Sequence, residues 1–169
     1  MTGRPLPSSP LGQVKVDGDF ATLIFERRFP HSIDLVWQAL TDSNELSKWY
    51  FSRGNIEPKL GGKVDFYLGP SHVTGNVLVW DPPRIFEHEW IVDRPGSAKK
   101  EEDSLIRWEL DSVGNDETIL KVIHANLSSS GARNFAIGVH VRLDRLDAFL
   151  DGQALPFWKD HLEAVRSKY

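Results

Sequence analysis

The stretch from Gly131 to Gly152 is the feature that most constrains the fold of this chain. Apolar residues recur in it at steps of three and four, which places them on one stripe of an α-helix: Ala136, Val139, Leu143, Leu146 and Leu150. Gly152 stands where helices commonly end. A helix of this length needs a broad apolar surface to lie on, and we expect the preceding residues to supply it as a β-sheet.

Polar residues on the same helix define a candidate cluster. Arg142 and Arg145 fall outside the apolar stripe, whereas His140 and Asp147 lie on its shoulder. With Arg107, the latter pair is a candidate polar cluster at the mouth of an interior cleft. The alternative is a histidine at the helix edge and a solvated carboxylate.

Composition bounds the class of protein. The 169 residues are most simply one domain, and 40% hydrophobic with 26% charged residues is the balance of a soluble globular protein. A formal net charge of −4 without a basic block disfavours nucleic acid and membranes as partners. The chain has no cysteine, and therefore no disulfide framework, thiolate metal site or thiol nucleophile. Residues 1–13 contain no apolar run of signal-peptide length. We expect a cytoplasmic protein, monomeric or homodimeric, without a cofactor.

The chain is expected to have three parts. Residues 1–14, rich in Pro, Ser and Gly, predict a disordered leader. Residues 15–152 form the folded domain, and residues 153–169 a tail whose helix docks on it. Pro156 can open this last helix, whose stripe would be Phe157, His161, Leu162 and Val165.

The domain begins with one strand and two short helices. Asp19–Phe29 is β-branched and aromatic, which predicts the first strand. Ser32 is a natural N-cap for a first short helix. Asp42 with Glu45 forms a capping-box-like start for a second helix that ends near Trp49.

Short segments bounded by turn residues then predict five more strands: Lys63–Leu68, Val73–Trp80, Arg84–Val92, Ser104–Leu110 and Thr118–Asn126. Arg94–Asp103 is expected to be a polar loop. Hairpin-linked strands with one apolar face form an antiparallel sheet.

Several short motifs occur along the chain in a recognisable order: Phe25 to Phe29, Val36 to Asp42, Leu46, Trp49, Gly61-Gly62, Gly75 to Val77, Asp81 to Arg84, Trp90, His124, Gly138, and His140 to Gly152. Their order and spacing over residues 20–152 resemble the START-like (SRPBCC) superfamily, in the branch named for activators of the heat-shock protein 90 ATPase. The resemblance implies an α+β helix-grip fold. In it, a curved antiparallel sheet with two short helices after the first strand wraps around a long C-terminal helix and encloses a hydrophobic cavity. Val139 stands where many relatives carry tryptophan, which implies a roomier cavity.

Two histidines are candidates for contact with a ligand. His88 and His124 lie on the apolar faces of their strands, where one intervening strand would separate them by roughly 10 Å. That distance is too long for a shared metal ion, which needs bonds of about 2 Å, but suits two sides of a small ligand. The alternative is a pair of core histidines, and a histidine buried among rings is expected to have a pKa below about 6.5. Glu87 and Glu89 alternate with His88 and belong to the outer face, which does not favour acid–base catalysis.

Large rings on a curved sheet that faces a helix either fill the core or line a pocket. Trp49 and Tyr50, at the end of the second short helix, would stand at the entrance of such a pocket. The candidate ligand-binding residues are Trp49, Tyr50, Phe66, Phe86, His88, Trp90, Trp108, His124, Val139 and Leu143.

Three functions are compatible with these observations. The favoured one is binding of a small hydrophobic molecule in the cavity, with no metal ion. The second is a co-chaperone-like interaction domain that stimulates the heat-shock protein 90 ATPase, and the third is a cyclase- or aromatase-like enzyme. The sequence contains no nucleophile elbow, P-loop or Gly-x-Gly-x-x-Gly motif, and it offers no catalytic residues.

Overall fold

A computed structural model describes residues 9–93 and 104–169. The predicted polar loop at 94–103 and the first eight residues of the predicted leader lie outside the described residues. The strands are β1 (Gln13–Asp17), β2 (Phe20–Phe29), β3 (Arg53–Ile56), β4 (Lys63–Leu68), β5 (Ser71–Asp81), β6 (Ile85–Asp93), β7 (Ser104–Val113) and β8 (Glu117–Ser128). The helices are α1 (Ile33–Thr41), α2 (Ser43–Trp49), α3 (Ala132–Leu150) and α4 (Trp158–Arg166).

The strands form one antiparallel sheet in the order β1-β2-β8-β7-β6-β5-β4-β3. Register shifts interrupt the β2–β8 pairing between Ala21 and Leu23, and the β5–β6 pairing between Val77 and Val79. Such bulges bend a strand and increase its twist, so they help the sheet to curve around α3. The predicted α+β helix-grip fold is confirmed.

The two short helices begin at the predicted caps. The Ser32 hydroxyl accepts a hydrogen bond from the Leu35 backbone N–H at 3.4 Å. The Asp42 carboxylate accepts one from the Glu45 backbone N–H at 3.0 Å. Each bond satisfies a donor that the first turn of a helix leaves free, which fixes α1 and α2 directly after β2.

The core lies between the concave face of the sheet and the helices. Along β6, β7 and β8, alternate residues are buried, as the period of two in the sequence predicted. On α3, the predicted stripe is buried at Ala136, Val139, Leu143 and Leu146. No helix among the described residues is long and apolar enough to span a bilayer.

Two strands were not predicted from the sequence. All five residues of β1 are exposed, and Gly18, with φ of 60°, turns the chain back into β2. The structure thus differs from the predicted leader at residues 13 and 14, which lie in β1. In β3, only Ile56 is buried. Both are edge strands without an alternating apolar pattern, so they carry little of the signal that marks a half-buried strand.

The C-terminal helix α4 packs on the second face of α3. Val165 is buried against Ile137 and Val141, with Leu162 and Tyr169 beside them. Phe157, expected on the stripe of this helix, is instead the exposed residue before it, and α4 begins at Trp158. The expected stripe fails there because Pro156 and Phe157 remain non-helical.

Candidate functional site

A cavity of about 720 Å³ lies between the sheet, α3 and α4. Its sheet wall comes from the five strands β4 to β8, and its helix wall from residues 134–143 of α3. Tyr50, which follows α2, and Trp158, Leu162 and Arg166 of α4 add to the lining. Rings and aliphatic chains dominate this wall, so the cavity can take an apolar molecule.

Six of the ten candidate ligand-binding residues line this cavity: Tyr50, Trp90, Trp108, His124, Val139 and Leu143. The other four, Trp49, Phe66, Phe86 and His88, are buried but are not part of its wall. The inward direction of a side chain therefore did not by itself decide whether the side chain reaches the cavity.

Trp49 is a structural residue rather than an entrance residue. Its indole N–H donates a hydrogen bond to the Ala39 carbonyl at 2.9 Å, which ties α2 to α1. The ring of the neighbouring Tyr50 packs at a tilt against that of Trp49, with 5.0 Å between the ring centroids, and Tyr50 lines the cavity. Phe66 packs against Phe51 and Trp90 in the core at 5.3 and 5.5 Å.

His88 and His124 lie in one row across the sheet, because each is paired with Ile106 of the intervening strand β7. The His88 Nδ1 contacts the Glu89 carbonyl at 2.7 Å, and rings of Phe86 and Trp90 surround the imidazole. Burial lowers the pKa of His88 to about 4. This surrounding is that of a core histidine.

His124 reaches the cavity wall. Its Nε2 lies 2.9 Å from the Ser104 hydroxyl, which itself donates to the Trp90 carbonyl at 3.0 Å. Because a hydroxyl has one hydrogen, Ser104 accepts from His124, so Nε2 carries the imidazole proton and Nδ1 has a lone pair. Burial, with the charges of His88 and Arg142, lowers the pKa of His124 to about 3. The lining therefore contains a neutral histidine.

Sequence reasoning missed both charged residues of the lining, Arg142 and Arg166. Arg142, expected outside the apolar stripe, lies in the cavity wall. Its guanidinium is 4.8 Å from the ring of Trp158 and 5.9 Å from the ring of Tyr50. A Cβ at Gly138 would stand 3.0 Å from the Arg142 Nη1, so the missing side chain leaves room for the guanidinium. The Gly138–Arg142 spacing of one helical turn was the available signal.

The predicted cluster of His140, Asp147 and Arg107 does not exist. Arg107 lies on the outer face of the sheet, where it bonds Glu109 at 2.7 Å and Glu87 at 3.2 Å. The prediction was wrong because the odd-numbered residues of β7 point away from α3.

His140 instead joins a buried cluster that lies outside the cavity wall. Its Nδ1 is 2.8 Å from the Tyr169 hydroxyl, and its Nε2 is 2.8 Å from the Ser9 hydroxyl and 3.4 Å from Asp144. His161 of α4 bonds the same carboxylate at 2.7 Å. Burial alone would raise the pKa of Asp144, but hydrogen bonds from His140 and His161 outweigh it and lower that pKa to about 2.

This cluster is not arranged as a hydrolytic triad. In a triad, the serine and the acid contact opposite nitrogens of the imidazole. Here both Ser9 and Asp144 face Nε2 of His140. The hydrogen bonds of this cluster connect the N-terminal segment, α3 and the C-terminal segment with α4, which indicates a structural role.

No group of three His, Asp or Glu side chains is placed to hold a metal ion within 9–93 and 104–169. The polar groups in the cavity wall are a neutral imidazole, hydroxyls, an amide, indoles and two guanidinium groups, of which that of Arg166 is paired with Glu163. These groups can bind and orient a molecule by hydrogen bonds and charge.

The family model described as Activator of Hsp90 ATPase homolog 1-like protein matches residues 30–151. No curated protein matches the chain in sequence. The match spans the segment from the first short helix to the end of α3, which includes most of the cavity wall.

Solved structures of similar proteins share the fold. CalU16 from Micromonospora echinospora superposes with a TM-score of 0.71 at 24% identity, over 94% of this chain and 92% of that one. The protein encoded by BPP1335 of Bordetella parapertussis gives 0.70 at 22% identity, over 100% and 94%. DynU16, a protein of the dynemicin biosynthetic locus, gives 0.66 at 18% identity, over 80% and 49%. At these identities the likeness establishes the fold alone.

Proposed function

The chain belongs to the Activator of Hsp90 ATPase homolog 1-like family, a branch of the START-like (SRPBCC) superfamily, and on that premise we propose that it binds a small hydrophobic molecule. The binding site is the cavity between the sheet and α3. The ligand lies against Trp90 and Trp108 on the sheet side and Val139 and Leu143 on the helix side.

The observation that carries this proposal is the cavity itself. At about 720 Å³, its volume falls in the range of roughly 300–1,000 Å³ that is typical of small-molecule sites. Rings and aliphatic side chains make up most of its wall, which is the lining typical of sites for small apolar molecules.

Val139 gives the proposal a direct test. It is small, lies on the helix wall, and points into the space where a larger ring would stand. The Val139→Trp variant should fill part of the cavity and weaken binding of N-phenyl-1-naphthylamine, a neutral fluorescent apolar probe, by about tenfold or more. The control is Leu60→Trp, which adds the same ring at a residue that is 69% exposed.

The measurement is a fluorescence titration combined with thermal denaturation. A ligand that binds only the folded state raises the melting temperature, so the probe should raise it for wild type and Leu60→Trp and much less for Val139→Trp. Absence of saturable binding to the wild-type chain, or equal binding by both variants, would contradict the proposal.

The name of the family raises a different function, stimulation of the heat-shock protein 90 ATPase. The same two variants separate the functions, because binding of a protein partner elsewhere on the surface does not depend on the volume of this cavity. ATPase stimulation that survives Val139→Trp unchanged would place that activity outside the cavity.

A further inference from the structure

Arg142 is a cation in the wall of the cavity. Within the described residues its guanidinium makes no hydrogen bond and no ion pair, and its Nε is buried. The other arginines of α3 are bound: Arg133 to the Tyr169 carbonyl at 2.9 Å, and Arg145 to the Pro156 carbonyl at 2.9 Å. Arg142 alone among these three has no hydrogen-bond partner within the described residues.

The structure holds Arg142 in this position without pairing its charge. The rings of Trp158 and Tyr50 flank the guanidinium, and Gly138 leaves space beneath it. Contact with ring faces stabilises a cation, but it leaves the in-plane N–H donors free. Those donors form the fork that matches a carboxylate.

An unpaired guanidinium in such a place is unfavourable unless something compensates it. Burial lowers the pKa of Arg142, with the nearby charge of Arg145 acting in the same direction, yet an arginine stays protonated in proteins. Because the chain carries a formal net charge of −4, the overall field does not attract anions, and the local cation must do so.

Two further polar atoms at the cavity lack partners among the described residues. The Trp90 indole N–H is a free donor, and the His124 Nδ1 carries a free lone pair. Buried polar atoms are paired in the great majority of cases. Of these groups, the guanidinium of Arg142 is the one whose charge an anionic ligand can pair.

We infer that the ligand of this cavity is an apolar molecule with an acidic oxygen group, a carboxylate or its equivalent, that binds Arg142. The inference rests on the proposed function and names the ligand class for the same site. The acidic group lies between the rings of Tyr50 and Trp158, and the apolar body extends along the sheet wall toward Trp90 and Trp108.

A pair of probes with one ring skeleton tests the acidic group. Anilinonaphthalene sulfonate is N-phenyl-1-naphthylamine with an added sulfonate, so the two differ in charge but scarcely in apolar surface. Arg142→Gln should weaken binding of the sulfonate by about tenfold or more and change binding of the neutral probe by less than about threefold. Arg142→Lys should recover part of the loss, since it restores the charge but not the fork.

Arg28→Gln is the matched control for net charge. Arg28 lies on the outer face of β2, where it pairs with Glu117, so its loss should leave both affinities as in wild type. Displacement of the neutral probe by dodecanoate and by dodecanol then repeats the comparison with the carboxylate itself. Dodecanoate should compete more strongly in wild type, and that advantage should disappear in Arg142→Gln.

The outcomes separate the two ideas. If neither probe binds the wild-type chain, the proposed function fails and the ligand class with it. If the neutral probe binds but Arg142→Gln leaves the affinities for the sulfonate and dodecanoate unchanged, the proposed binding cavity is retained and the acidic ligand is refuted. Equal losses for both probes in Arg142→Gln would also refute it, because they would assign Arg142 a structural role.

Discussion

Two buried histidines should make this protein sensitive to mild acid. His88 and His124 are each 1% exposed, and burial lowers their pKa values to about 4 and about 3. In the unfolded chain both return to about 6.5. As the pH falls below that value, the unfolded chain binds two protons that the folded protein does not bind, so stability declines.

The size of the loss follows from linkage. At pH 5, protonation of one histidine with a pKa of 6.5 stabilises the unfolded chain by about 2 kcal/mol relative to pH 7.5. Neither histidine is appreciably protonated in the folded protein at this pH, so the folded state gains no matching stabilisation. The two histidines together should therefore lower the free energy of unfolding by about 4 kcal/mol, a large share of the roughly 5–15 kcal/mol that is typical of a domain.

Carboxylates act differently in this interval. Asp144, whose pKa is lowered to about 2 from 3.8, loses its contribution only at lower pH. Burial raises the pKa of Asp147, with Asp151 adding to the shift, so Asp147 adds stability as the pH falls and offsets part of the loss. The histidine variants isolate the histidine contribution because they leave both carboxylates in place.

Urea denaturation at pH 7.5 and pH 5.0 measures the effect. The double variant His88→Phe with His124→Phe should lose about 4 kcal/mol less than wild type between the two pH values, and each single variant about half of that. His72→Gln is the control, because His72 lies near the surface and pairs with Asp65. The reasoning is refuted if wild type loses less than about 1 kcal/mol, or if the double variant keeps the wild-type loss.

Three further perturbations follow from the structure. Trp90→Ala and Trp108→Ala, at rings that line the cavity, should each lower the free energy of unfolding in urea by less than about 3 kcal/mol yet abolish probe binding. Phe66→Ala in the core should lower it by about 3–5 kcal/mol. A larger loss for the two tryptophan variants than for Phe66→Ala would contradict their placement at the cavity. Arg142→Met should raise the free energy of unfolding of the ligand-free protein by roughly 1 kcal/mol or more, because it replaces an unpaired cation with an apolar side chain. A decrease in the same urea denaturation experiment would show that Arg142 stabilises the fold. Removal of residues 155–169 should leave a folded domain that self-associates, because it uncovers the apolar face of α3 beneath α4. If light scattering finds a monomer and urea denaturation finds wild-type stability, the packing of the tail on α3 contributes nothing.

Much of the fold was predictable because its signals are local. Lys63–Leu68 has the bounds that its flanking glycines predicted, and the caps at Ser32 and Asp42 fixed two helix starts. The edge strands β1 and β3 escaped prediction because they bury almost nothing. Their stability comes from backbone pairing with β2 and β4, which leaves no apolar period in the sequence.

The site was less predictable from the sequence. The alternation of apolar and polar residues shows which face of a strand is buried, but not which part of that face lines the cavity. His88 and His124 share a row, yet only His124 lines the cavity. Phe86 and Trp90 pack around His88, while Trp37 covers Phe86 from α1. Which part of the concave face the short helices fill depends on tertiary packing that no local pattern records.

The contrast between two inward-facing arginines clarifies what the sequence could not distinguish. Arg27 of β2 is buried beside the Asp144 carboxylate at 3.6 Å, in a region closed by α3 and α4. This carboxylate compensates the charge of Arg27 within the fold, although burial lowers the pKa of the guanidinium and its nitrogens have no hydrogen-bond partner among the described residues. Arg142 is held by rings, faces a cavity of about 720 Å³, and has no carboxylate partner in the part of the chain described by the structure. An ion pair within the fold compensates the charge of Arg27, whereas under our proposal the charge of Arg142 is compensated by an anion that binds from solution.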